Sequence, residues 1–454
     1  MNDKLLQYIK SKYDNESDWF VQFVGEVSNQ QRIQDILAKK EYLSGQHKIK
    51  FAPSFQYNGK EFNPRRIVLQ YAKTLLNFQS NYLLGNPITL TGNEKVVREF
   101  QSVYKKGKYD RINLKILDKL LKYGQCAEYV YMDNSIIKSK LIDPSESYPV
   151  YDNENNMLAF IEAYVYDAIS YFNVFTDNSV EQYTNEGGSL KLVGKKVNLS
   201  GLPIIYHSDN ELNEVEGRSD LDDWIEILDS MEDLISKYTD AFYKYMNPIP
   251  VAIGQQLKGD EIPSNIVGGG LTLDDGSDFK LVSNGLDYQS FESIYKTLLQ
   301  SLLDIAQVPA VSMNKTDVSN LSEQSVRLLF SLANVKAGMN EQYLREGIEQ
   351  RNDKIRSLLA LQGVTFSDNN YETLDFVFHY NMPSNDAEVI ENLKTLNDMG
   401  AISLETILAK NPYVNDVNME LERLDNQKDK LGNNTGNNDM VNQMDNTDNE
   451  PDNV

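Results

Sequence analysis

The chain has 454 residues and carries 67 Asp and Glu against 44 Lys and Arg, a formal net charge of −23. That length fits roughly three domains, and the acidic balance excludes a protein that grips nucleic acid over its whole surface, because phosphate binding needs Lys and Arg. The single cysteine, Cys126, excludes an intrachain disulfide and a cysteine-rich zinc site, and neither a basic–apolar leader nor about eighteen consecutive apolar residues is present, so a soluble protein made in the cytoplasm is expected.

Residues 1–59 read as mostly helical, with Trp19, Phe20, Phe23, Val24 and Val27, then Ile33, Ile36 and Leu37, at helical spacing. Asn63-Pro64 predicts a helix start, Asn as cap and Pro in the first turn, with Ile67, Val68, Tyr71, Leu75, Phe78 and Tyr82 on its buried face. Two shorter helices follow, Glu94 to Lys105 and Asp110 to Tyr123, with Gly107 and Gly124 as their stops. From Cys126 to His207 the period falls to two, and strand-like runs separated by Asn, Asp and Gly predict an antiparallel meander packed on the preceding helices.

Gly217 to Asp222 opens a long helix, with Ser219 and Asp222 spaced as a capping box. Its stripe Leu221, Ile225, Leu228, Ile235 and Phe242 is doubled by Trp224, Ile227, Met231, Leu234 and Tyr238, so more than one face is expected to pack; Asn247 to Pro250 stops it. Residues 248–290 are short strands and turns, predicted as a small module on a helical stalk. The next helix runs from Phe291 to Val308, with Phe291, Ile294, Leu298, Leu302 and Ile305 on a buried face, and Val308-Pro309 ends it. A polar segment, Ser312 to Asn320, has no period. From Ser322 a helix of about forty residues, roughly 60 Å, is predicted, with Gly338 and Gly347 as places for a bend. Val364 to Phe366 and Leu374 to Tyr380 read as strands, Asp386 to Leu424 as helices, and the Asn/Asp-rich residues 425–454 as disordered. The fold class is α+β, predominantly helical.

No chemistry stands out. His47, His207 and His379 lie far apart without metal-ligand spacing, and Cys126 at a strand start reads as a structural thiol. Gly188 to Lys196 has five residues between its glycines where a phosphate loop has four, and lacks the following Ser or Thr. Gly268 to Gly270 completes no dinucleotide fingerprint, and Asp274 to Asp278 fails the calcium-loop pattern and reads as a hairpin turn. No enzyme, cofactor or metal site is expected.

The order of elements carries more information than any motif. Tyr82 to Ile88 with Gly85-Asn86-Pro87, Leu141 to Pro144 with Val150 to Asp152 and Ile161 to Tyr166, Gly217 to Leu221 with Ile225, Leu228 and Asp229, Ser319 to Val326, and Gly400 to Thr406 with Asn411-Pro412 follow one another in an order that resembles the portal proteins of tailed bacteriophages, specifically the SPP1-like family of phages of Gram-positive hosts. Asn320 stands where that family usually has glycine.

The resemblance implies a portal fold of wing, stem, clip and crown. Residues 1–59 would be an outer wing arm and 60–217 the wing, with its helices and antiparallel strands. Residues 218–246 and 291–308 would be paired stem helices, packed through Leu221, Trp224, Ile225, Leu228, Ile294, Leu298, Leu302 and Ile305, around a small α/β clip at 247–290. Residues 309–321 would be the tunnel loop, with Ser312, Met313, Asn314, Lys315, Thr316, Asp317, Val318, Ser319 and Asn320 facing DNA; Lys315 is offset by Asp317, so the contact would be sequence-blind. Residues 322–383 would complete the wing and 384–424 the crown.

It also implies a homo-oligomeric ring of about twelve subunits at one capsid vertex, passing double-stranded DNA during packaging and ejection. The implied partners are major capsid and scaffolding proteins, the terminase large subunit and a head-completion adaptor, with no membrane; the implied location is the virion, and the host cytoplasm during assembly. The alternatives are another ring-forming connector or tail structural protein, and a phage enzyme with a spatially assembled site.

Overall fold

In a computed structural model the described residues are 3–57, 60–213, 215–245, 249–254, 276–282, 287–310, 323–383, 386–414, 417 and 419–427. The chain forms two units: Met1–Lys315 with Phe330–Asn381, and Thr316–Leu329 with Met382–Val454.

The first unit begins with α1 (Asp3–Tyr13), α2 (Trp19–Val24) and α3 (Val27–Leu43), then a small hairpin, β1 (Phe55–Tyr57) and β2 (Lys60–Phe62). The helix α4 (Tyr71–Leu84) is followed by β3 (Thr89–Thr91), α5 (Glu94–Gly107) and α6 (Tyr109–Tyr123). Strands β4 (Gln125–Asp133), β5 (Ile136–Ile142), β6 (Ser147–Tyr151), β7 (Met157–Tyr166), β8 (Ile169–Phe175), β9 (Ser179–Thr184), β10 (Lys191–Val197) and β11 (Ile204–His207) come next. Then follow α7 (Leu221–Tyr245), β12 (Ile249–Ile253), β13 (Asp278–Val282) and α8 (Tyr288–Ile305). After α9 (Glu323–Leu329), which belongs to the second unit, the first unit is completed by α10 (Ser331–Leu361), α11 (Asp368–Tyr371) and β14 (Asp375–Val377). The second unit contains α12 (Asp386–Asp398) and α13 (Leu404–Lys410) as well, as the helical pattern predicts.

The expected single meander is two antiparallel sheets, ordered β10-β9-β8-β7-β6 and β11-β4-β5. Their inner faces meet through Ala127, Tyr129, Ile142, Phe160, Phe175 and Val180. The other face of the five-stranded sheet is covered by α1–α3, where Leu5, Ile9, Trp19, Phe20 and Ile36 pack on Val150, Ile161, Phe172 and Val174. Both faces of β7 are therefore apolar, which explains its run of buried residues instead of strict alternation. Leu374 to Tyr380 does contain a strand, β14, which pairs with β3; Val364 to Phe366 does not.

Several sequence expectations need correction. Asn63-Pro64 does not open a helix: α4 begins at Tyr71. The amides of Arg65, Ile67 and Leu69 instead donate to Asp240 Oδ2 (2.9 Å), Ser236 Oγ (3.1 Å) and Glu232 Oε1 (2.7 Å) of α7. Alternate amides of an extended chain repeat about every 6.6 Å, and every fourth residue of a helix about every 6 Å, so the two ladders match. Gly107 is the last residue of α5, not its stop; Lys108, with φ +58°, takes the left-handed position. Ser219 and Asp222 form no capping box. Ser219 Oγ accepts from the Leu221 amide, and Asp222 pairs with the buried Lys39 ammonium at 2.9 Å.

The helix predicted from Ser322 is interrupted at Phe330, whose φ of −92° and ψ of 5° leave the helical basin. Beyond it α10 runs for 31 residues through Gly338 and Gly347 without a break. Gly347 serves a different purpose: a Cβ there would lie 2.1 Å from the Tyr206 ring. Gly338 has only Tyr380 Oη nearby, at 3.8 Å. Gly347→Ala is therefore expected to cost about 1–3 kcal/mol through overpacking, and Gly338→Ala to stabilise by up to about 1 kcal/mol through helix propensity. Denaturant midpoints of the two variants check this pair of opposite signs.

Candidate functional site: a braced helix pair

Helices α7 and α8 run antiparallel. Tyr238, late in α7, stacks on Phe291, early in α8, with ring centroids 3.8 Å apart, and Phe291 stacks in turn on Tyr295. Tyr71 and Tyr295 share a hydroxyl hydrogen bond of 3.0 Å, tying α4 to the pair. At the opposite end Gln79 Nε2 of α4 donates to the Ala306 carbonyl (3.0 Å), just past α8. Gln79 also lies beside Asp220, at the start of α7, and opposes the upward push of burial on its carboxyl. Beyond the Tyr238 end the chain leaves α7 and returns to α8 through an antiparallel hairpin, β12–β13, in register from Ile249↔Val282 to Ile253↔Asp278. Its strands match the runs expected at 249–253 and 279–282, while Gly268 to Gly270, Asp274 and Asp275 lie outside the described residues.

Leu221, Trp224 and Leu228 of α7 and Leu302 of α8 are buried, as predicted, and Ile225 and Leu298 are half-buried. Ile294 and Ile305, expected on a buried face, are 51% and 49% exposed. They lie on the side of α8 that this single chain leaves uncovered. The whole set Ser312, Met313, Asn314, Lys315, Thr316, Asp317, Val318, Ser319 and Asn320 lies outside the described residues; Gln307, with φ +54°, turns the chain out of α8 just before it.

Two further buried polar contacts hold α7 and a third holds α10, and none of the three has a local signal in the sequence. Glu232, midway along α7, has Oε1 at 2.6 Å from His47 Nδ1, and the same oxygen accepts the Leu69 amide; both side chains are fully buried. Tyr42 stacks on the His47 ring at 3.9 Å. His47 is thus packed, as the sequence predicts, but against a buried carboxylate. Burial pushes the Glu232 and Asp229 carboxyls above the ordinary range, opposed by His47. At the start of α7, Asp220 Oδ1 pairs with Lys336 of α10 at 2.9 Å, and burial pushes this carboxyl up against the lowering by Lys336.

The third contact holds α10 itself. Arg351 and Glu128 are both fully buried, with Nε 2.9 Å from each carboxylate oxygen. The guanidinium also donates to Asn113 Oδ1 (2.6 Å) and Tyr206 Oη (2.9 Å), and Tyr206 Oη donates to Glu128 Oε2 (2.6 Å). One cation thereby joins α10, β4, α6 and β11. Three turns of sequence carry no mark of this; an Arg in a helix and a Glu in a strand read as solvated until the fold buries both.

No chemistry is assembled around these groups. Among the described residues no set of three or more His, Cys, Asp or Glu can hold a metal ion, and no helix is long and apolar enough to cross a membrane. The Cys126 thiol is buried, and burial pushes it up to about 12, so it is a poor nucleophile. His207 and His379 do not meet His47: His379 Nε2 lies 2.9 Å from Thr89 Oγ1, and His207 Nδ1 lies by the Ser208 carbonyl.

Two measurements test the braces. Arg351→Met leaves Glu128 buried and unpaired and is expected to cost about 3–5 kcal/mol, while adding Glu128→Met recovers much of that loss; urea unfolding of both variants checks it. Because the folded Glu232 carboxyl is raised, the folded state takes up a proton more readily than the unfolded one. Its contribution is fullest below about pH 4.3, the unfolded value, and is lost as pH rises through the folded value. Glu232→Gln, which keeps an acceptor for Leu69, should therefore flatten the fall of melting temperature with pH over that window.

The family described as phage portal protein, SPP1 Gp6-like, matches residues 27–433. The portal protein of Bacillus phage SPP1 is 22% identical over 400 residues, covering 80% of this chain and 76% of that protein. Among solved structures, the virion of a native gene transfer agent particle gives a TM-score of 0.46 at 10% identity, covering 74% of this chain and 87% of the other. The neck of an empty particle of that agent gives 0.47 at 9% identity, covering 73% and 86%. With a family match over most of its length, and with the element order that first suggested it, the chain belongs to the SPP1 Gp6-like family of phage portal proteins.

Proposed function

We propose that this portal protein works as a structural conduit, with no catalysis of its own, in which the α7–α8 pair is the stem. The observation that carries the reading is the pair itself: two antiparallel helices, joined at one end by an aromatic stack and held at the other end and at the middle of α7 by buried polar contacts, with a small strand module where the chain crosses from one to the other. On this reading 218–246 and 291–308 are the stem helices, 247–290 the clip that docks the terminase large subunit and later the head-completion adaptor, 309–321 the tunnel loop, 384–424 the crown, 1–217 and 322–383 the wing, and 425–454 a tail. Capsid and scaffolding proteins surround the wing at the virion vertex, and double-stranded DNA passes along the axis of a ring of about twelve copies. Ile294, Ile305, Phe242, Tyr243 and Tyr288 leave apolar surface on the pair, which a neighbouring copy in a ring would cover.

The acidic balance of the chain supports passage over capture: a wall short of cations lets a phosphate backbone slide. Native mass measurement of the purified chain should give one closed oligomer of about a dozen copies; a monomer under every assembly condition contradicts the conduit. Deleting 312–320 should leave the oligomer intact and abolish DNA packaging, whereas normal packaging by that variant removes the loop's assigned role.

A further inference from the structure

A groove runs along one side of α7. Two adjoining cavities of about 700 and 470 Å³ share Ile49, Ala52, Pro53 and Asp233, so the groove lies between α7 and the segment from Lys48 to Arg65. One wall is apolar, from Ile49, Ala52, Pro53 and Phe51, and Phe51 is 71% exposed. The other wall is acidic. Glu226, Asp229 and Asp233 follow at intervals of three and four residues, about 4.5 and 6 Å along a single helical face. The carboxylates of Glu226 and Asp229 make no salt bridge among the described residues, and Asp229 Oδ1 is buried without a hydrogen-bond partner. Burial pushes the Asp229 carboxyl up, with Lys48 and His47 opposing it and Glu226 adding to it. Among the described residues Asp233 pairs with the exposed Lys237, at 2.8 Å. Lys48 also lines the groove beside these acids, and Arg65 and Lys237 line its other part, so the negative excess lies at the Glu226–Asp229–Asp233 end; that end is matched by a helix edge that carries two cations around one apolar residue.

The chain presents such an edge on α6. Arg111, Leu114 and Lys115 are all exposed, and neither cation has a salt bridge among the described residues. Arg111 and Lys115 are one helical repeat apart, about 6 Å, the spacing of Asp229 and Asp233 on α7. Leu114 sits between them, as Phe51 and Pro53 sit beside the acids. A closed ring of identical copies needs a heterologous contact, in which two different surfaces of one chain are complementary.

We propose that the groove on α7 receives the Arg111–Leu114–Lys115 edge of α6 from the neighbouring copy, and that this contact sets the order of subunits around the ring. The inference rests on the ring proposed above and names the partner of its α7 side. The cations meet the exposed Glu226 and the half-buried Asp229, which make no salt bridge among the described residues, and Leu114 covers part of the apolar wall. Complementary charge of this kind fixes register and excludes wrong pairings.

The test uses the full-length chain and charge reversal at two exposed positions, Glu226→Lys and Lys115→Glu, read by native mass and sedimentation. Each single variant should lose the ring peak, and the double variant should regain it. As a second readout that does not depend on charge, Ser230→Cys with Leu114→Cys should give, on oxidation of the assembled protein, a ladder of covalent multimers; Cys126 is buried and does not compete. Intact rings from both single variants, with no ladder, overturn this contact while leaving the ring in place. A wild-type chain that forms no ring overturns the conduit reading and this contact with it.

Discussion

The fold depends on one buried ion pair. Arg351 reaches from α10 into a site walled by β4, α6 and β11, and every bond it makes there is charge-assisted. Two fully buried ions are tolerated only because the geometry is nearly saturated: both Glu128 oxygens, Asn113 and Tyr206 are engaged at once. The pair fixes the rotation of α10 as well as its position. With Arg351 inward, Gly347 falls one turn earlier against the Tyr206 ring, and Lys354 falls one turn later on the carbonyls of Ser200 and Leu202 at 2.7 Å. Nearer its start, Lys336 then meets Asp220 at the beginning of α7. A single helix thus carries the sheet at one end and the α7–α8 pair at the other.

The N-terminal segment supplies the second constraint. Residues 65–69 lie extended on α7 and satisfy their amides on its side chains, so α7 is held from outside over two turns by backbone as well as by packing. His47 reaches the same carboxylate from the other direction. Glu232 is where three segments converge, which explains why so polar a group is tolerated in a buried position.

Much of this architecture is legible in the residues. Periodicity located α5, α6, α7, α8, α12 and α13, and the alternation from Cys126 to His207 announced strands. Two of the failures share a cause. Asn63-Pro64 carries good local signals for a helix, and Ser219 with Asp222 for a capping box, but in each case a tertiary partner competes for the same groups: α7 takes the amides of 65–69, and Lys39 takes the Asp222 carboxylate. Phe330 interrupts a helix that no Gly or Pro marks. The division of the strands into two sheets also has no local signature, since it depends on which strands find partners after chain reversal. For the site, helical spacing identified Leu221, Trp224, Leu228 and Leu302 correctly as packed. It could not separate faces buried within the chain from those left for another copy, as Ile294 and Ile305 demonstrate. The polar braces were invisible because charge alone reads as surface.

The central claim is that a braced helix pair forms the stem of a portal ring. It is tested most directly by an electron cryo-microscopy reconstruction of the assembled full-length protein at side-chain detail. The account predicts a closed ring with an axial channel, α7 and α8 antiparallel in every copy, Ile294 and Ile305 covered by a neighbour, and the segment from Ser312 to Asn320 facing the channel. A ring whose channel is lined by other parts of the chain, with α8 still facing solvent through Ile294 and Ile305, would contradict it.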